Sequence, residues 1–275
     1  MDSPERSDSP ADDATEAARV LSMEIGGSTV GASLEAAIAA GDVVRRPDGK
    51  LELARQPKGT EIYNGGEFGP DCVFLNNFMF AHIYRNAAVP IGCRDCYKIK
   101  VTPRTLRELI AVKTIAQSFT SSAKAGPEVD RPDNQSLYAA YFYFLGLDKA
   151  RAAFKRLRSL LDADPKVGPS VKAVIKRGCT NYEHACGPSD RYTFDPRLAA
   201  IESYFVSRFV RKRPPRKHDR KYENAMKQLK MVRTAYRIGD DTYKDFTDGK
   251  DLYPPTVTYD PDPPAAAPGR PDKQA

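Results

Sequence analysis

At 275 residues, 41% apolar and 29% charged, the chain has room for one large domain or two modest ones and ample material for a core. It carries no run of about 18 apolar residues that would span a bilayer, and its start, Met1-Asp-Ser-Pro-Glu-Arg-Ser-Asp, is polar and acidic where a signal peptide is basic and then apolar. The expected compartment is the cytoplasm, where thiols stay reduced and close cysteine pairs point to metal or redox chemistry rather than to structural disulfides.

In chain order, residues 1–13 are rich in Asp, Ser and Pro and read as a disordered acidic segment. Helices are expected over Ala14–Ile25 and over Ser33–Ala40, the second ending at Gly41. Val43 to Leu53 reads as a hairpin turning at Pro47-Asp48-Gly49. Residues 14–54 thus form a helix–hairpin subregion. It is short for the three-helix core of a winged helix and reads instead as a lid on the main domain. Residues 55–70 read as a loop. Its glycines 65, 66 and 69 lack the lysine–serine pair and the strand-to-helix frame of a phosphate loop. Asp71 to Pro90 is apolar and aromatic, with Cys72 expected as a small buried hydrophobe and His82 as a satisfied core histidine.

Ile91 to Val101 reads as a knuckle running into a short strand, and Thr105–Ala116 as an amphipathic helix with Leu106, Leu109, Ile110, Val112 and Ile115 on its inner face. Residues 118–134 read as a loop. The tyrosine-rich Gln135–Leu145 is apolar on nearly every side and is expected as a helix in the centre of the core. Asp148–Leu161 follows as a helix with Asp148 as its N-cap. Ser170–Ala185 is expected as one helix stopped by Gly187-Pro188. Further helices are expected over Pro196–Val210 and Lys221–Ile238. From Asp251 to Ala275 the chain is proline-rich and reads as an unstructured tail. The fold class expected is mainly α with short β-strands (α+β): one globular domain over residues 14–250, stapled by a four-cysteine metal site.

That site rests on spacing. Cys93-Arg-Asp-Cys96 places two thiols on one tight knuckle. Cys179 and Cys186 are two helical turns apart, so on a helix they share a face with Glu183. The metal ligands expected are Cys93, Cys96, Cys179 and Cys186. A closed zinc site is one outcome, although Arg94, Asp95 and Tyr97 stand where zinc-ribbon knuckles usually carry Pro and Gly. An iron–sulfur cluster is another: the wide gap in the second pair suits a bulky group, and Gly92 and Gly178, each just before a cysteine, offer clearance and free amides. A third reading keeps the thiols separate, with Cys93 and Cys96 as a redox dithiol. His184 points away from Cys186 on a helix and is left out of the set.

The net charge of +7 is uneven. Residues 1–16 hold six acids and one Arg, whereas Arg208 to Lys221 holds eight Lys/Arg against one Asp. Arg211, Lys212, Arg213, Arg216, Lys217, Arg220 and Lys221 would draw phosphate backbones, acidic proteins or anionic lipids without distinguishing them. No nucleophile–base–acid set, dinucleotide fingerprint or Walker loop is legible, so catalytic residues are not assigned. The function expected is a metal-binding intracellular protein whose basic C-terminal face takes nucleic acid or an acidic partner. The alternative is an iron–sulfur redox enzyme, or an accessory to one, with an aromatic-lined core.

Overall fold

A computed structural model of the chain describes residues 10–55, 61–64, 71–131, 134–211, 220–253, 257 and 259. The first part of the chain is α1 (Pro10–Leu21), a minute hairpin of β1 (Glu24–Ile25) and β2 (Ser28–Thr29), α2 (Val30–Ala39), and the hairpin of β3 (Val43–Arg45) and β4 (Leu51–Leu53). Thr29 caps α2 by accepting the Ala32 amide at 3.1 Å. The expected turn joins β3 to β4. Strand β5 (Ile62–Asn64) and a π-helix over Val73–Ile83 follow, and then a single 3-10 turn over Ile91–Cys93.

The rest is a layered α/β unit. β6 (Cys96–Thr102), α3 (Leu106–Ala116), β7 (Ala123–Pro127), β8 (Tyr138–Leu145), α4 (Leu147–Ala163) and β9 (Lys172–Arg177) succeed one another, and the sheet order is β5-β7-β8-β6-β9. All neighbouring strands are antiparallel. Each helix therefore joins two parallel strands with a third between them, which is the split βαβ or ferredoxin-like topology with β5 added at one edge. Topology of this kind hosts many functions and assigns none. The short α5 (Thr180–Cys186), then α6 (Arg197–Val206) and α7 (Arg220–Arg237), complete the described chain.

Period-two alternation decides what each sheet face meets. Ile62, Ile99, Val101, Ala125, Ala140 and Phe142 point to one side, where they pack with Leu106, Leu109 and Val112 of α3, Leu157 and Leu161 of α4, and Met231 and Val232 of α7. A second core lies among α1, α2, the π-helix and α6, built on Leu34, Phe78, Met79, Ile83, Ile201 and Phe205. Among the described residues no helix is long and apolar enough to cross a membrane.

Helix exceeds strand, as expected, but the strands form a five-stranded sheet that makes the fold a mixed α/β one. Gln135–Leu145 is not a helix: Tyr138–Leu145 is strand β8, inside the sheet. Its near-continuous apolar character follows from cover on both faces, with Tyr138, Ala140 and Phe142 towards the helices and Tyr141 and Tyr143 on the other side. Residues 170–185 divide into β9 and α5 at Gly178, whose φ of +63° a helix cannot carry. The loop expected over 118–134 contains β7. The 14–54 helix–hairpin is present, with α1 starting earlier, at Pro10. The segments expected to be unstructured, 1–13 and 251–275, lie largely outside the described residues.

Phe142 is fully buried on β8 and meets Phe119 edge-on at 5.2 Å. Phe142→Ala is expected to lower stability by about 3–5 kcal/mol. A loss below about 1 kcal/mol in urea titration would contradict its place at the centre of the helix-covered core.

Candidate functional site

The Cys93–Cys96 knuckle is gripped from two directions. From α6, Glu202 accepts the Ile91 amide at 2.7 Å, the Gly92 amide at 2.9 Å and the Tyr84 hydroxyl at 3.2 Å. Burial pushes the Glu202 carboxyl above its ordinary range, and these three donors oppose that shift by favouring the ionised form. From β9, the Arg177 guanidinium donates twice to the Arg94 carbonyl, at 3.0 and 2.8 Å. Space is tight at Gly92: a Cβ there would stand 2.9 Å from Leu75 and 3.1 Å from the Glu202 carboxylate, so those side chains would have to give way. The amide of Gly92 is thus committed to Glu202, and that of Gly178 to the Cys96 carbonyl at 2.9 Å. Neither is free in the way the sequence suggested.

The knuckle meets α5 directly. The Gly178–Cys96 bond sets the backbone of Cys179 beside that of Cys96. Cys179 is the residue preceding α5, in extended conformation (φ −98°, ψ 152°). The hydroxyl of Tyr182, one turn into α5, shares a 3.4 Å hydrogen bond with the Cys93 thiol. Tyr182 is fully buried and lies edge-on to Phe80 of the π-helix at 4.4 Å. Asn181 donates to Asn76 of the same π-helix at 2.8 Å. That helix begins immediately after Cys72.

These contacts bring the segments that carry Cys72, Cys93, Cys96 and Cys179 together. Burial pushes the Cys72 thiol up to about 12, with Cys179 and Cys96 adding to the shift, and pushes Cys96 to about 11, with Cys179 adding again. The Cys93 thiol is driven well up by burial; Tyr182 works against this, while Cys179, Cys96 and Cys72 add to it. The Cys72, Cys93 and Cys96 thiols each feel Cys179, which places their segments in one neighbourhood. Cys186 does not join them. It ends α5, a full helix length from Cys179, and its thiol donates to the Asn86 carbonyl at 3.5 Å. Among the described residues no group of three or more His, Cys, Asp or Glu is arranged to hold a metal ion, so the expected four-cysteine staple is not formed as one.

The sheet face away from α3, α4 and α7 is a field of lysines. Register sets Lys98 opposite Lys176 and Tyr143, Lys100 opposite Val174 and Tyr141, Lys124 opposite Tyr141, and Lys172 opposite Thr102. Its carboxylates are committed: Glu61 to Lys124 and Arg131, Glu128 to Arg131, and Glu183 to Lys176. Among the described residues none pairs with Lys98, although that residue is 6% exposed. Its ammonium lies 5.2 Å from the centre of the Tyr141 ring. Burial lowers its pKa, and Lys176 and Lys124 lower it further; ionised thiols at Cys179 and Cys96 would raise it. The sequence carried this face as the alternation Lys98-Ile-Lys100-Val in β6 and Lys172-Ala-Val-Ile-Lys176 in β9.

Of the basic segment expected to bind nucleic acid, Lys212, Arg213, Arg216 and Lys217 lie outside the described residues, as does the side chain of Arg220. Arg211 is ion-paired to Asp71 and lies 5.7 Å from the Phe74 ring centre. Lys221 is exposed on α7. Glu183 serves as the partner of Lys176, and His82 lies 4.0 Å from Asp42 at the edge of the second core. Comparison with protein-family models, curated proteins and solved structures finds no match.

Removing the knuckle's carboxylate anchor strands two amides and a hydroxyl in a buried setting. Glu202→Ala is expected to cost about 2–5 kcal/mol in denaturant titrations, since each orphaned donor is worth about 1–3 kcal/mol. Glu202→Gln, which keeps one oxygen acceptor, is expected to fall between wild type and alanine. An alanine variant as stable as wild type would mean that Glu202 does not hold the knuckle.

Proposed function

We propose that this chain is an iron–sulfur protein whose cluster is held by the thiolates of Cys72, Cys93, Cys96 and Cys179. The observation that carries the reading is Lys98: a buried ammonium with no described carboxylate partner, in the electrostatic reach of Cys96 and Cys179. A buried charge without a counter-charge is costly, and metal-bound thiolates are anionic. Lys98 offsets that negative charge, so the cation and the ligands stabilise one another.

A polynuclear cluster suits this set better than one zinc ion, because among the described residues no three ligands are arranged round a single ion. Sulfurs around a cluster stand farther apart than sulfurs around zinc, each of which lies about 2.3 Å from the metal. Loading requires Cys72, Cys93 and Cys96 to lose protons that burial makes them hold tightly, which makes binding pH-dependent and couples it to proton release. The Tyr182 hydroxyl favours ionisation at Cys93. Phe80, Tyr143 and Tyr182 keep water from the thiols, and Glu202 and Arg177 fix the knuckle that presents two of them. A cluster there would supply one-electron transfer, its potential set by charge, hydrogen bonds and solvent access.

Protein purified without oxygen is expected to be brown, with iron and inorganic sulfide in equal amounts. Cys72→Ser should abolish both, and Cys186→Ser should leave both unchanged. Colourless wild-type protein carrying zinc, or loss of iron in the Cys186 variant but not in the Cys72 variant, would reject this ligand set.

A further inference from the structure

At the other end of the lysine-bearing sheet face, away from Cys96, the lysines open onto a cleft of about 680 Å³. That volume lies within the range of small-molecule sites. Lys100, Lys172, Lys176 and Arg104 line it, with Asn134 and Thr180 as neutral polar groups. Two carboxylates already answer part of this charge: Glu183 is paired with Lys176, and Glu108 lies 3.3 Å from Arg104. Glu128 reaches the cleft only through Asn134, whose side-chain amide donates to it at 3.0 Å while its oxygen accepts from Lys100 at 2.8 Å. Among the described residues no carboxylate pairs with Lys100 or Lys172.

We propose that this cleft binds a small organic phosphate. Several cations converging on one space leave an excess of positive charge that a multiply charged anion relieves, and a phosphate monoester carries about −1.5 to −2 at neutral pH. Lysine supplies the point charges such a group takes. Asn134 is held in place by Lys100, by Glu128 and by the Tyr141 hydroxyl at 2.9 Å, so it is a fixed polar group rather than a mobile one. Single-stranded nucleic acid fits less well. Its sequence-tolerant grooves stack bases on aromatic side chains, and no Phe, Tyr or Trp lines this cleft. The inference goes beyond the metal reading, and its test reads binding heat rather than colour or iron.

Calorimetric titration with AMP, and separately with a mixed-sequence single-stranded DNA dodecamer, tests it. AMP is expected to bind the full chain. Lys172→Gln, an exposed position that should not disturb folding, and Lys100→Gln are each expected to weaken binding about tenfold, the loss of one charge-assisted hydrogen bond. Lys155→Gln, on α4 across the sheet, should change nothing. No AMP binding to wild type, or an equal loss in the Lys155 variant, would overturn the proposal. Binding of the dodecamer far tighter than that of AMP, and dependent on Lys100 and Lys172, would reassign the cleft to nucleic acid.

Discussion

A lysine ammonium kept at 6% exposure on β6, an inner strand of the sheet, is deprived of its preferred solvent, and its neighbours must answer that charge. Lys98 faces Lys176 across the β6–β9 pair, so its nearest cross-strand neighbour repels it. The Tyr141 ring offers the negative face of its π-system, a partial compensation. The remaining candidates for counter-charge are the thiols of Cys96 and Cys179, both of which would raise the Lys98 pKa when ionised. Everything that positions those thiols acts on the same balance: the Glu202 carboxylate on the Ile91 and Gly92 amides, the Arg177 guanidinium on the Arg94 carbonyl, and the Gly178 amide on the Cys96 carbonyl.

The split βαβ sheet distributes roles by face. One face is mostly apolar and is closed by α3, α4 and α7. The other carries lysines and tyrosines at alternate positions. At one end lies Lys98, buried beside Cys96 on the same strand face, and at the other Lys100, Lys172 and Lys176 line a cleft. Thr180, which lines the cleft, directly follows Cys179, so the two ends are joined by adjacent residues.

Much of the local structure was legible in the sequence. The knuckle running into a strand at Cys96, the hairpin at Pro47-Asp48-Gly49 and the amphipathic helix after Thr105 are all set by short-range chemistry, and Thr105 does cap α3 through the Glu108 amide. The errors came where tertiary cover overrides local pattern. Tyr138 to Leu145 lacks the polar alternation of a half-exposed strand because both its faces are buried, and an apolar run of that length does not by itself separate strand from helix. Its wealth of Tyr and Phe was the usable strand signal. The proposed cysteine set departs from the expected one for a related reason. Placing Cys179 and Cys186 on one face presumed a helix running through both, whereas the positive φ of Gly178 starts a new element just before Cys179. Cys72 stands at the head of an apolar helix twenty-one residues before Cys93, and no spacing rule connects the two. Tertiary contacts such as Phe80 on Tyr182, the Asn76–Asn181 bond and Leu75 beside Gly92 bring its segment to the other thiols.

The central claim is that Cys72, Cys93, Cys96 and Cys179 share one metal centre next to Lys98. Diffraction recorded at the iron absorption edge, from crystals grown without oxygen, tests it most directly. The account predicts one anomalous peak per chain, bounded by those four sulfurs and on the Lys98 side of the π-helix. A peak held by Cys186 in place of Cys72, or no iron peak in crystals of protein purified without oxygen, would contradict it.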